Sequence, residues 1–208
     1  GSRGFDPVIF SAADLKKIKH PVIEYDDAAT MKNFAQWNEL LGDIMTVQVL
    51  GWVHISFHLM ALYTSWRGLD QVMLDMYEEP QMLHDAMSIL EQGHHELIRQ
   101  YIDQNLLCLN NHNAYHSSGG NGWTDELPAK GFDPDHVRPC DMWASAEAQE
   151  LAQVSPEMHE KFSTTYERRL LAPFGLNGYG CCEDLTKKLD RVLEIPNIRR
   201  VSISPWAN

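Results

Sequence analysis

The chain has 208 residues, 44% of them hydrophobic, and a formal net charge of -12. That length can bury a substantial core and suits one domain spanning 1–208. The acidic balance, without any Lys/Arg cluster, excludes a polyanion-binding face and so excludes nucleic acid. Four cysteines are too few for a disulfide scaffold, so reduced thiols in a cytoplasmic protein are expected. No signal peptide is visible, and the leading Gly1-Ser2 carries no fold information. Between Asp43 and Arg67 there is no formal charge. Gln48, His54, Ser56, His58, Thr64 and Ser65 nevertheless interrupt that stretch, which argues against a membrane span.

Along the chain, helix and strand patterns alternate. Asp14 to Lys19 reads as a helical turn after Ser11. Thr30 to Leu41 reads as a helix closed by Gly42. Ile44 to Leu50 reads as a buried strand feeding a short buried helix after Gly51, and Arg67 to Met76 as another helix. Pro80 suits a first helical position, and Leu83, Met87, Leu90, Leu97, Ile98, Tyr101 and Ile102 recur at helical spacing. Leu106 to Leu109 reads as a short strand. The segment 110–138 is rich in Gly, Asn, Pro and Asp and too long for a plain connector, so it reads as a functional loop.

Ser155-Pro156-Glu157 begins a helix whose buried stripe is Met158, Phe162, Tyr166 and Leu170. Leu176 to Gly180 reads as a strand, Asp184 as the cap of a helix stopped by Pro196, and Ile198 to Ile203 as a last strand. Such alternation implies an α/β fold with a parallel sheet. Right-handed crossovers gather the strands' C-terminal ends on one face, where chemistry collects. Four passes amount to roughly half of an eight-stranded barrel.

The pair Cys181-Cys182 with Glu183 lies at such a strand end. Adjacent thiols beside a carboxylate can hold zinc or a thiol-reactive substrate. A helix starting at Asp184 would lower their pKa. Against this, one thiol can simply pack as a small apolar group, and Glu183 can serve as a helix-terminal charge. In a regular strand the two side chains point to opposite faces, so joint chelation requires a backbone bend. His54 and His58 are four apart, but without the glutamate of a zincin they read more plainly as satisfied buried histidines. His112 and His116 are pocket candidates because their loop begins at a strand end. Trp123 and Trp206 can stack on a flat ligand or plug a hydrophobic gap.

Several ordered segments resemble the uroporphyrinogen decarboxylase-like superfamily: Ser155-Pro156-Glu157-Met158, Phe174-Gly175-Leu176, Tyr179-Gly180-Cys181-Cys182-Glu183, Ile195-Pro196-Asn197-Ile198-Arg199 and Ser202-Ile203-Ser204-Pro205-Trp206. The loop pieces Gly122-Trp123-Thr124-Asp125-Glu126-Leu127-Pro128 and Gly131-Phe132-Asp133-Pro134 fit its branch of corrinoid (methylcobamide)-dependent methyltransferases. The resemblance implies a (β/α)8 TIM barrel, present here as its middle and much of its second half. It implies methyl transfer between a small methylated compound, or a thiol or folate acceptor, and a corrinoid on a separate carrier protein. Relatives hold zinc through a His-x-Cys element, in which Cys181 matches the cysteine and Tyr179 stands in the histidine's place.

The expected site therefore has Cys181 and Cys182 as metal ligands. Glu147, Glu183 and His112 are its catalytic groups, Glu147 standing where relatives place a pocket carboxylate. Tyr179, Trp123, Gln149 and Trp206 are its substrate contacts. A metal-independent decarboxylase and a non-catalytic barrel piece that associates with another copy are the alternatives.

Overall fold

The computed structural model describes residues 5–118 and 120–208; Gly1-Ser2 falls outside the described residues. A 3-10 turn, Ala12–Lys17, follows Ser11, and Asp14 accepts from the backbone N–H groups of Phe10 and Ser11. Helix α1 is Asp27–Leu41, started by Asp26, whose carboxylate accepts from the Ala29 N–H. None of its side chains is buried, and Trp37 and Leu40 stand exposed.

The expected strand Ile44 to Leu50 does not form. The segment is exposed and irregular, because its apolar residues find no sheet neighbour to pair with. Pairing begins only at Trp52, which forms a parallel bridge to Leu107, the one paired point of the expected 106–109 strand. The short buried helix expected after Gly51 forms, but only from Leu59. The chain runs extended into strand β1, Ser56–Phe57, so that His54, Ser56 and His58 share one side by strand alternation rather than by helical spacing.

Helix α2 is Leu59–Arg67, and the expected Arg67 to Met76 helix forms as α3, Leu69–Glu78, its start set by Gly68, whose φ of 91° a helix cannot accommodate. Arg67 and Asp75 clamp the joint. Arg67 Nε and Nη2 donate to the two Asp75 carboxylate oxygens at 2.7 and 2.8 Å, and Asp75 is wholly buried. Helix α4, Pro80–Asp103, buries Met82, Leu83, Ala86, Met87, Leu90 and Tyr101 along one stripe. Each such large side chain contributes about 1.5–3 kcal/mol by leaving water.

The loop 110–138 contains an antiparallel hairpin, β2, Tyr115–Ser117, and β3, Gly120–Asn121. Strand β4, Trp143–Ala146, had no counterpart among the expected elements. Helices α5, Pro156–His159, and α6, Thr165–Leu171, are joined through a π-helical turn, Glu160–Thr164. Strand β5 is Leu176–Tyr179, α7 is Leu189–Val192 and β6 is Ile198–Val201. The helix expected from Asp184 is thus a single turn starting five residues later, because the Asp184 carboxylate closes a local turn onto Thr186 instead.

Among the described residues the larger sheet has four parallel strands in the order β1-β4-β5-β6. The fold is therefore mixed α/β with a parallel sheet. Register separates its two faces. Phe57, Ala146, Tyr179 and Val201 align on one, toward the main apolar core with the helices. Ser56, Ser145, Gly178 and Arg200 align on the other, against which the loop 110–138 packs: His116 lies on Trp143 with ring centroids 4.6 Å apart. Among the described residues no helix is long and apolar enough to cross a membrane.

Beneath the helices, Tyr179 donates from its hydroxyl to Glu167 at 2.8 Å and lies 3.2 Å from His159 Nε2. Burial pushes Glu167 up to about 8 and His159 down to about 3, and burial beside Arg200 pushes His116 down to about 3 as well. From the ordinary glutamate value of 4.5 up to about 8, the folded chain keeps a proton on Glu167 that the unfolded chain has lost. Stability from that group falls as pH rises. From the ordinary histidine value of 6.5 down to about 3, the unfolded chain gains protons on His116 and His159 that the folded chain refuses, so stability falls as pH drops. Two histidines outweigh one glutamate below 6.5, and of these three groups only the glutamate acts between 6.5 and about 8. Urea unfolding should therefore show maximum stability at roughly pH 6–7, with slopes of at most about 1.4 kcal/mol per pH unit for each proton. Glu167→Gln should abolish the decline between 6.5 and about 8; a decline that persists there in that variant would assign it to another group.

Candidate functional site

The C-terminal ends of β1, β4 and β5 open into a small cleft on the polar face of the sheet, roofed by the β2–β3 hairpin. It is lined by His54, Ser56, His58, Tyr115, Ser117, Ser118, Ser145, Ala146, Glu147, Gly180 and Cys181, with a cavity volume of about 60 Å³. Alternation along β1 and β4 explains the lining. Ser56 and His58 are two apart, as are Ser145 and Glu147, so all four side chains stand on the same face. Cys181 would point the other way in a regular strand. Gly180, at φ 92°, bends the chain and turns Cys181 into the cleft, and a Cβ there would sit 2.7 Å from Leu185 Cδ1.

One hydrogen-bonded chain crosses the cleft. His58 Nδ1 lies 2.7 Å from Glu147 Oε1, His58 Nε2 lies 2.6 Å from Ser56 Oγ, and Ser145 Oγ donates to Ser56 Oγ at 3.0 Å. Burial alone would raise the Glu147 carboxyl, but hydrogen bonds from His58 and Cys181 outweigh it and hold it below the usual carboxylate range. An ionised carboxylate only accepts. When His58 is neutral, its Nδ1 therefore carries the proton and its Nε2 accepts from the Ser56 hydroxyl.

Across the cleft, Ser118 Oγ and Cys181 Sγ are 2.9 Å apart, and Cys181 and Cys182 Sγ are 3.5 Å apart. The Cys181 thiol is pushed up to about 12, first by burial and then by the Glu147 carboxylate and the neighbouring thiol, with Ser118 opposing. This corrects the expectation of a lowered thiol pKa, since α7 begins at Leu189 and no helix terminus faces the sulfur. Alkylation of Cys181 by iodoacetamide should accordingly be slow at pH 8. Glu147→Gln should speed it several-fold by removing the charge that disfavours the thiolate. An unchanged or slower rate, read by peptide mass mapping, would mean that the carboxylate does not hold the thiol protonated.

The expected site residues divide. Glu147 and Cys181 meet in the cleft. Glu183 is 1% exposed and does not line the cleft; its Oε2 accepts from the Cys181 N–H at 2.8 Å, so it shapes the turn that carries the thiol. Tyr179 is fully buried on the opposite face of the sheet, against Glu167 and His159. Cys182, His112, Gln149, Trp123 and Trp206 are exposed and outside the cleft lining. His116, the other loop histidine, is buried against Trp143. Sequence reasoning did not bring forward Ser56, Ser118 and Ser145, and it read His58 as a satisfied buried histidine. The available signal was period-two alternation, in Ser56-Phe57-His58 and in Trp143, Ser145 and Glu147.

The expected zinc does not fit this arrangement. Among the described residues no three His, Cys, Asp or Glu side chains converge as metal donors. Tyr179, in the place of the expected histidine ligand, lies on the far face. Nor can a corrin ring enter a cleft of about 60 Å³. Donors and acceptors in a small, partly enclosed space suit proton transfer to or from a small polar molecule. Compared with family models, with curated proteins and with solved structures, the chain has no match.

Proposed function

We propose that the chain is an enzyme of the uroporphyrinogen decarboxylase-like superfamily, its sheet an arc of a (β/α)8 barrel, and that the rim cleft catalyses methyl transfer involving a small heteroatom acceptor. The observation that carries this reading is the His58–Glu147 pair in the same cleft as Cys181. Methyl transfer to a thiol or hydroxyl acceptor requires the acceptor's proton to leave, and a carboxylate-held imidazole can take it through the Ser56 hydroxyl that lies 2.6 Å from its Nε2. Glu147 orients His58 and stabilises the imidazolium that forms. Cys181 and Ser118 face the acceptor as donors. Among the described residues the lining carries no lysine or arginine, which weighs against decarboxylation of a polycarboxylate, where cations must hold the substrate.

A corrinoid on a carrier protein would supply the methyl group from outside the cleft. Incubation of the protein with methylcobalamin and a small thiol, followed by the corrinoid absorbance and by mass detection of the methyl thioether, tests the reading. Thioether formation that saturates with thiol is the expected result. A rate equal to that of the protein-free mixture would overturn it.

A further inference from the structure

His58 Nε2 does not face open space. It lies 2.6 Å from Ser56 Oγ, while Nδ1 lies 2.7 Å from Glu147 Oε1; in the neutral imidazole Nδ1 donates to the carboxylate and Nε2 accepts from the serine. The group on which this base acts first is therefore a serine hydroxyl of the chain itself. A nucleophile hydrogen-bonded to a base, and a base oriented by a third group, is the arrangement that activates serine for attack on a carbonyl. Ser145 donates to Ser56 Oγ at 3.0 Å and so aims its lone pairs, leaving its hydroxyl proton for the imidazole.

A second observation supplies the other half of such a centre. Arg200 stands behind the hairpin, donating through Nη2 to Ser117 Oγ and through Nη1 to the Ser118 carbonyl, and its buried Nε has no partner among the described residues. Ser117 lines the cleft. Because its oxygen accepts from a guanidinium, its hydroxyl proton is polarised and free to donate. Ser117 backed by Arg200, together with the Ser118 hydroxyl, is placed to meet an oxyanion.

We infer that Ser56 is an acyl-accepting nucleophile and that the cleft hydrolyses esters of short carboxylic acids, acetyl-sized to suit about 60 Å³. Ser56 Oγ bonds to the ester carbon as its proton passes to His58 Nε2. The carbon–alkoxide bond then breaks, and that proton leaves with the alcohol. Water attacks the acyl-serine, giving its proton to His58; the Oγ–carbon bond breaks and the proton returns to Ser56. No oxidant or reductant is needed.

The test uses 4-nitrophenyl acetate with the whole chain, acid quenching within the first turnover, and peptide mapping for an acetyl group. The expected result is acetyl on Ser56, with nitrophenol release reduced at least about a hundredfold in Ser56→Ala. Acetyl on Cys181, on Cys182 or on lysines alone, or no adduct, would overturn the inference. So would an unchanged rate in Ser56→Ala. Mapping on the unaltered protein keeps the test decisive if that variant fails to fold. The assay contains no methyl donor, so its failure leaves the methyl-transfer reading standing, and failure of methyl transfer leaves acetyl capture intact.

Discussion

Glu147→Gln should lower turnover in the rim cleft by roughly a hundred- to ten-thousandfold, with the loss in kcat rather than in KM. The carboxylate leaves His58 one usable tautomer, with the proton on Nδ1 and Nε2 free to accept from Ser56. A glutamine can turn its amide NH2 toward Nδ1, which moves the proton to Nε2 and removes the base. It also takes away the negative charge that stabilises the imidazolium. Shape is nearly conserved, so the variant should fold, with stability within about 1 kcal/mol of the parent. Glu147→Asp, which keeps the charge but shortens the reach, should fall between the two. The measurement is kcat and KM for methyl transfer to the small thiol, beside a urea unfolding curve. A glutamine variant within about threefold of the parent in kcat would remove the pair from the mechanism.

Arg67→Met should cost about 3–5 kcal/mol of stability, because it leaves the Asp75 carboxylate charged and unpaired in a dry site. Asp75 has no solvent exposure and takes two guanidinium bonds, with, among the described residues, only Gln71 Nε2 remaining as a side-chain donor at 3.0 Å. The same arginine reaches the Ile9 carbonyl, and Trp66 accepts from the N–H groups of Val8 and Ile9. The loss should therefore loosen the N-terminal segment together with the α2–α3 joint. For a chain of this size the midpoint of thermal unfolding should drop by roughly 6–20 °C. The double variant Arg67→Met/Asp75→Leu should recover much of the loss, since removing both charges also removes the desolvation cost. A single variant within about 1 kcal/mol of the parent would show that water reaches Asp75.

Local pattern alone accounted for the parts whose signals are short-range. Pro80 and the apolar stripe through Leu83, Met87 and Leu90 announced α4, and Ser155-Pro156-Glu157 announced α5. The run before Gly180 announced β5, and the alternation of elements announced a parallel sheet. Glu147 and Cys181 were named as site residues and share the cleft. Other features were decided by neighbours. Ile44 to Leu50 has strand composition but no partner strand, so it stays exposed. Trp143–Ala146 is too short and too alanine-rich to declare itself, yet it is central because β1 and β5 flank it. His58 was read on a helix, where spacing of four suggests packing or a metal. On a strand end its relevant neighbour is Ser56, two residues away, and its decisive partner Glu147 is 89 residues distant. The protonated thiol depends on a carboxylate brought in by β4 and on burial beneath the hairpin. Helix periods and caps are written within a few residues of chain, whereas pairing, burial and hydrogen-bond partners across strands exist only once distant segments meet.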